Sequence, residues 1–220
     1  MVAGGSGRRF GGPKQFLPLA GSPVAAWSVR AARTVADGVV LVVPEGPTSP
    51  DTTLPAAGAT GEAALGADQV VAGGVTRADS VRAGLAAVPA DAAVVVVHDA
   101  ARPLAAPALF AAVVAAVASG AVDGAVPVVP LADTVKRVDG DRVLGTVDRA
   151  DLVAVQTPQA FAAGALRAAH RHGGGATDDA GLVEADGGIV GTVPGDPRNL
   201  KLTRPEDLAL AEALLAGADR

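Results

Sequence analysis

Two cations set among glycines are the first residues in this chain whose types and spacing suggest chemistry. The stretch AGGSGRRFGGPKQF (3–16) holds Arg9 and Lys14 in a loop that must turn tightly. Gly5 and Gly7 allow a backbone path whose N–H groups face phosphate oxygens, so Ala3, Gly4, Gly5, Ser6 and Gly7 are the expected nucleotide-facing segment. Arg9 and Lys14 add formal charge where a triphosphate would lie, while Arg8 reads as a solvated neighbour. The loop is neither a dinucleotide fingerprint nor a Walker A motif: after Gly5-x-Gly7 the next glycine is Gly11, and Lys14 follows Pro13 without a succeeding Ser or Thr. Cations so placed suit nucleotidyl transfer, which builds negative charge on the α-phosphoryl group and on departing pyrophosphate. The plainer alternative is an ordinary turn.

Further candidates stand at the ends of apolar runs. His98-Asp99-Ala100-Ala101-Arg102-Pro103 follows VVVV, at the carboxyl end of an expected parallel strand, where ligands sit in open α/β sheets. Asp99 there can hold Mg²⁺ against a triphosphate, or cap the next segment. Arg102 either binds substrate or braces Asp99, and His98 reads as a packing or hydrogen-bonding residue rather than a base. Gly73, Gly74, Val75, Thr76, Arg77 and Ser80 join a strand to a helix. They read either as a recognition loop or as a helix capped by Thr76 with Arg77 and Ser80 on its polar face. Thr134, Arg149 and Thr157 lie in DTVKR, TVDR and TPQ, with Thr157 also a candidate helix cap. Thr177, Asp178 and Asp179 precede another helix, where Thr177 can touch substrate phosphate and the aspartates can cap the helix or, for one of them, reach the metal; Lys201 lies in NLKLT. His170 and His172 occupy a basic helix end and read as solvent-facing.

The elements that position these residues alternate from about 24 to 130 between short apolar strands and helices. The expected helices are 22–35 (Ser22 as N-cap, Pro23 at its first turn), 76–88 and 107–120. The expected strands are 38–44, 69–74, 91–103 and 120–130. Residues 45–66 read as a variable surface segment or short helix. Strands without a polar face imply a mostly parallel sheet covered by helices on both sides, an α/β fold in three layers. Beyond 131 a polar ribbon, VKRVDGDRVLGTV, turns at Asp-Gly-Asp and is expected to project as an arm (131–151) that packs on a second subunit. Helices over PQAFAAGALRAAHRHG and ATDDAGLVEADG follow, then a strand in GIVGTVPG and a terminal helix capped by Thr203. The 220 residues suit a single domain. One tension remains. Such a glycine loop ordinarily follows a first sheet strand, yet only Met1 and Val2 precede it. Either the start lies too far downstream, or the sheet has lost or substituted its opening strand.

Composition narrows the classes. Half the residues are hydrophobic but only 2% aromatic, so the core must close by packing small side chains. The absence of cysteine excludes disulfides, thiolate catalysis and cysteine-ligated metals. A formal net charge of −5 argues against a nucleic-acid partner. No run is long enough for a signal peptide or a membrane span, so a cytoplasmic protein without membrane attachment is expected.

Taken in order, GSGRRFGGPKQF, GGVTRADSVRAGL, VVVHDAARP, DTVKRV, TVDRADLVAVQTPQAF, ATDDAG and NLKLTRPEDLALAE resemble the 2-C-methyl-D-erythritol 4-phosphate cytidylyltransferases over nearly the whole chain. The resemblance implies a Rossmann-like sheet of the nucleotide-diphospho-sugar transferase type, CTP and methylerythritol 4-phosphate as substrates, Mg²⁺ as cofactor, and a homodimer with interlocking arms. It implies Arg9 and Lys14 as cations facing CTP. Gly74, Val75, Arg77 and Ser80 become nucleotide contacts, the glycine carbonyls and the Ser80 hydroxyl reading cytosine. Asp99 serves metal and acceptor, with Ala100 and Arg102 beside it. Arg149, Thr134, Thr157 and Thr177 contact the acceptor phosphate, and Lys201 orients it for attack. The chain departs from the pattern at Val75, where an acidic or polar residue is usual, so recognition there must use backbone. It departs again at Asp179, where glutamate is usual. A ribitol 5-phosphate cytidylyltransferase is the nearest alternative.

Overall fold

The computed structural model describes residues 1–5, 10, 12–45, 55, 58–172 and 176–218. A small ribbon opens the chain, Pro18–Leu19 (β1) against Ser22–Pro23 (β2), followed by helix Val24–Arg33 (α1). Val40–Val43 (β3) and Gln69–Ala72 (β4) pair in parallel, and Arg77–Ala87 (α2) follows. Val94–Val97 (β5) leads to Pro107–Ala118 (α3) and Gly124–Pro130 (β6). The arm is Val135–Asp139 (β7) and Arg142–Val147 (β8), antiparallel, and exposed along most of its length. Val153–Val155 (β9), Gln159–Ala162 (β10), Ala163–His172 (α4), Asp179–Ala185 (α5), Val190–Pro194 (β11) and Glu206–Ala218 (α6) complete the chain.

The sheet is mixed rather than mostly parallel. β10 runs antiparallel between β5 and β6, β9 pairs antiparallel with β6, and β11 pairs with β6 in parallel. The departure comes from QAFA (159–162), expected to begin a helix. Gln159, Ala160 and Phe161 are buried, so this segment inserts as a central strand, and the helix starts only at Ala163. A short apolar run bounded by Pro158 fits either element by periodicity alone.

Val2 substitutes for part of the opening strand. It bridges in parallel to Val42 of β3 and to Asp99 just past β5. Its N–H donates to the His98 carbonyl at 2.8 Å, and Ala100 N–H returns to the Val2 carbonyl at 2.9 Å. Helices flank both faces. α1 and α3 pack a core holding Val29, Leu41 and Phe110, while α2, α4 and α5 cover Val97, Phe161 and Leu166.

Two expected caps differ. Helix α1 begins after Pro23 without a side-chain cap, because Ser22 lies in the β1–β2 ribbon. At α6, Asp207 rather than Thr203 accepts the free amides, from Thr203 at 2.6 Å and Arg204 at 2.8 Å. Of the expected segment 45–66, residues 46–54, 56 and 57 lie outside the described residues, and Gly61–Ala64 forms a 3₁₀ turn.

Small side chains let strands and rings approach closely. A Cβ at Gly124 would stand 2.7 Å from a ring carbon of the fully buried Phe161. Gly124→Ala is therefore expected to lower unfolding free energy by about 1–3 kcal/mol in urea melts. Gly164→Ala, in α4 with open space around it, should be neutral or stabilising by up to about 1 kcal/mol.

Candidate active site

The carboxyl end of β5 gathers the polar residues. Asp99 follows the strand, and its backbone N–H is held at 3.1 Å by the Thr157 hydroxyl oxygen. That hydroxyl in turn lies 3.0 Å from His98 Nδ1, and His98 Nε2 lies 3.2 Å from the Arg102 carbonyl. The arrangement suits a neutral imidazole that donates from Nε2 and accepts from Thr157 at Nδ1. Burial drives the His98 pKa down to about 3 and keeps it in that form. His98 is thus a brace, as its sequence context suggested. Thr157, expected to meet substrate phosphate, is itself buried and bonded to both neighbours.

Asp99 carries charge despite burial. Desolvation raises its pKa, but Lys201 and Arg77 overcome this and bring it down to about 2. Lys201 Nζ stands 2.5 Å from one carboxylate oxygen, and Arg77 Nε 3.3 Å from the other. Lys201 arrives by way of Asn199, a fully buried residue missed in the sequence. The Asn199 amide donates to the Thr157 carbonyl at 2.9 Å, its own carbonyl accepts from Arg102 Nη1 at 2.7 Å, and Leu202 N–H pairs with the Ala101 carbonyl at 2.8 Å. Arg102 therefore braces the Lys201 segment rather than the Asp99 side chain.

Arg77 faces carboxylates. Its second nitrogen lies 2.7 Å from Asp179, whose other oxygen sits 3.0 Å from His170 Nε2. Burial works against its charge, but Asp179 and Asp99 raise its pKa beyond the ordinary arginine value. His170 is buried, not solvent-facing as its basic surroundings suggested, whereas His172 is exposed. Helix α5 is capped by Asp178, which accepts from Gly181 N–H at 3.0 Å, leaving Asp179 to turn inward. The adjacent pair DD was visible in the sequence; which of the two would cap was not.

The glycine loop starts at this place. Ala3 N–H bonds the Val42 carbonyl at 2.7 Å, and the Gln15 amide reaches back to the carbonyls of Ala3 (2.5 Å) and Gly5 (3.0 Å). Gln15, buried within the PKQF run, was not singled out from sequence, yet it closes the loop. Gly4 fits because a Cβ there would stand 2.9 Å from Ser80 Oγ. Ser80 is buried and holds the Gly74 N–H at 3.2 Å, so its hydroxyl shapes the turn between β4 and α2 from behind. Val75 is fully exposed, and Thr76 caps α2 in a reciprocal box with Asp79. Lys14 lies in the 3₁₀ turn Lys14–Phe16, 5.9 Å from the Phe10 ring centre. Ser6, Gly7, Arg8 and Arg9 lie outside the described residues.

Ala100 is buried beside Val2. The remaining candidates are not drawn into the cluster by any described bond. Thr134 and Arg149 are exposed at the base of the arm, where Arg149 donates to the Leu131 carbonyl. Thr177 is exposed ahead of α5.

The start of the glycine loop leaves the sheet beside an ionised carboxylate paired to two cations, and kinship with known enzymes makes the chain a nucleotidyltransferase. The profile of the 2-C-methyl-D-erythritol 4-phosphate cytidylyltransferases matches residues 1–217. A protein of that name from Nocardia farcinica is 48% identical, over 98% of this chain and 92% of its own. Another from Rubrobacter xylanophilus is 44% identical, over 100% and 95%. The crystal structure of the Thermus thermophilus enzyme superposes with a TM-score of 0.79 at 36% identity, covering 98% of this chain and 96% of that one. The chain belongs to the 2-C-methyl-D-erythritol 4-phosphate cytidylyltransferase family.

Removing Arg77 would leave Asp99 and Asp179 facing each other without their shared cation. Arg77→Met is expected to lower unfolding free energy by about 3 kcal/mol at neutral pH, measured by urea denaturation. The Asp99 carboxylate, with its pKa depressed, contributes stability that is complete above its unfolded value near 4 and lost as pH falls toward 2.

Proposed function

We propose that the chain transfers CMP from CTP to 2-C-methyl-D-erythritol 4-phosphate, releasing pyrophosphate. The observation that carries this reading is the joining of the glycine loop to Asp99: Val2 pairs with the end of β5, so the loop and the Lys201–Asp99 pair share one edge. Family membership supports the substrates and disfavours ribitol 5-phosphate as acceptor.

The reaction is an in-line displacement. A 4-phosphate oxygen of the acceptor forms a bond to the α-phosphorus of CTP, and the bond from that phosphorus to the β-bridging oxygen breaks. Pyrophosphate leaves with the electron pair. The acceptor phosphate is already nucleophilic near neutral pH, so the neutral, buried His98 has no proton to take. Positioning and charge compensation carry the rate.

Lys14 would face the triphosphate, the role the sequence also gives Arg9. Lys201 is partly exposed, and it passes from Asp99 to the acceptor phosphate when that group arrives. Arg77 stays on Asp99 because Asp179 holds its other nitrogen. The exposed Val75 loop offers backbone groups to cytosine, with Ser80 fixing its shape.

Asp99 would hold Mg²⁺, a hard ion that takes oxygen ligands. When bound, the ion would neutralise phosphate charge. The ionised state of Asp99 suits that role.

The arm supplies the second half of the proposal. Val138, Val143 and Leu144 are more than half exposed, with Leu152, Val153 and Val155 partly bare at its base. A second copy would cover these residues and bring Thr134 and Arg149 to the acceptor phosphate, with Thr177 on the facing edge. No helix is long and apolar enough to cross a membrane among the described residues.

Pyrophosphate release should require CTP, Mg²⁺ and methylerythritol 4-phosphate together, with ribitol 5-phosphate inactive. Silence with methylerythritol phosphate in folded protein would overturn the assignment. Lys201→Met is expected to lower kcat/KM by about 10²–10³. Leu144→Glu should shift the protein to monomers in light-scattering chromatography and reduce activity, whereas a monomeric parent protein would contradict the arm's role.

A further inference from the structure

His170 is a buried imidazole that the reaction as drawn does not use. Its side chain is 3% exposed, and its Nε2 lies 3.0 Å from one oxygen of Asp179, which is 1% exposed. A carboxylate can only accept, so Nε2 carries the hydrogen. The two residues come from different helices. Leu166 and Ala169 of α4 pack with Leu182 and Val183 of α5 in one core, which sets the ring beside the first turn of α5. The neighbouring Asp178 is fixed independently, accepting from Gly181 N–H at 3.0 Å and from the Gln159 amide at 2.8 Å. Those bonds commit Asp178 to the cap and leave Asp179 to turn inward, where His170 takes one oxygen and Arg77 the other.

A guanidinium beside a single carboxylate tends to pair through two nitrogens with both oxygens. Arg77 does not. It meets one Asp99 oxygen through Nε at 3.3 Å, while its Nη1 lies 2.7 Å from Asp179. The second Asp99 oxygen is left to Lys201 Nζ at 2.5 Å. Asp179 therefore limits how much of Asp99 the arginine can occupy. It does so only while its own carboxylate keeps its direction, and a bond to Arg77 alone would leave it free to turn about its last torsion. The His170 bond to the opposite oxygen removes that freedom. Burial reinforces the constraint, because a turn that broke either bond would leave a charged oxygen unpaired out of water.

We propose that His170 is a positioning residue: through Asp179 it holds Arg77 to a single oxygen of Asp99 and keeps the other oxygen for Lys201. Without the ring, Asp179 would turn, release Nη1 and let Arg77 spread over both Asp99 oxygens in competition with the lysine. By its described bonds the imidazole reaches Arg77 and Asp99 only through Asp179. The consequence for the rate rests on CMP transfer as the reaction; the consequence for Arg77 does not.

Three full-length proteins test this: the parent, His170→Leu, and His170→Gln, whose amide reaches about as far as the imidazole Nε2 and can donate in its place. With the guanidinium nitrogens labelled and Arg77 assigned by the loss of its signals in Arg77→Lys, NMR reads rotation of the Nη1 group. In His170→Leu that rotation should be at least about tenfold faster than in the parent, as expected for a weakened charge-assisted bond. The same protein should lose about tenfold in kcat/KM, measured well below its Tm. His170→Gln should stay near the parent in both. If His170→Leu does not fold, His170→Asn, whose amide stops short of Asp179, takes its place. A His170→Leu protein that loses only Tm, with Arg77 rotation or kcat/KM as in the parent, would overturn the proposal, and so would a His170→Gln protein that behaves like His170→Leu. A parent that transfers no CMP would overturn the reaction, while the Arg77 signals would still decide the role of His170.

Discussion

A buried carboxylate that stays ionised must be paired, and the arrangement at the end of β5 follows from that requirement. Asp99 is little exposed, and desolvation alone would push its proton on. Lys201 and Arg77 prevent this from opposite sides, one oxygen each. The two cations differ in tether. Arg77 is anchored on the buried Asp179, which is itself held by His170, whereas Lys201 is half in solvent with only Asp99 as its described side-chain partner. One partner is therefore held by two carboxylates and the other by one.

Much of the surrounding polar structure brings chain segments to that carboxylate. The Thr157 hydroxyl and His98 fix its backbone, and Asn199 and Arg102 tie the Lys201 segment to the strand end. Gln15 closes the glycine loop on Ala3 and Gly5, and Gly4 lets that loop rest against Ser80. None of these groups needs to touch a reacting atom. They exclude alternative positions for those that do, and in transfer between phosphates such positioning carries much of the rate.

The βα rhythm and the exposed ribbon were legible in the sequence because each has a local signature. The run of four valines at 94–97 reads as a strand, and Asp139-Gly140-Asp141 reads as a turn. What was not legible depended on distant partners. QAFA takes its strand form from β5 and β6 on either side, which no local periodicity reports. His170 looked solvated beside Arg171 and His172, yet Asp179, nine residues later, draws it into the core. The hydroxyls of Thr157 and Ser80, which the resemblance puts at ligands, bond backbone and, for Thr157, imidazole from segments far off in sequence or hidden by burial. Arg9 lies outside the described residues, so the assignment of the loop's cations rests structurally on Lys14 and the backbone around it.

The central claim is that Asp99 and Lys201 work as one unit, and a double-mutant cycle tests it most directly. Asp99→Asn, Lys201→Met and the double variant would be compared for kcat/KM with CTP, Mg²⁺ and methylerythritol 4-phosphate, alongside their unfolding free energies. The account predicts strong non-additivity, with the double variant losing little beyond the worse single one. Losses that simply multiply, in proteins of equal stability, would show that the two side chains act independently and would contradict it.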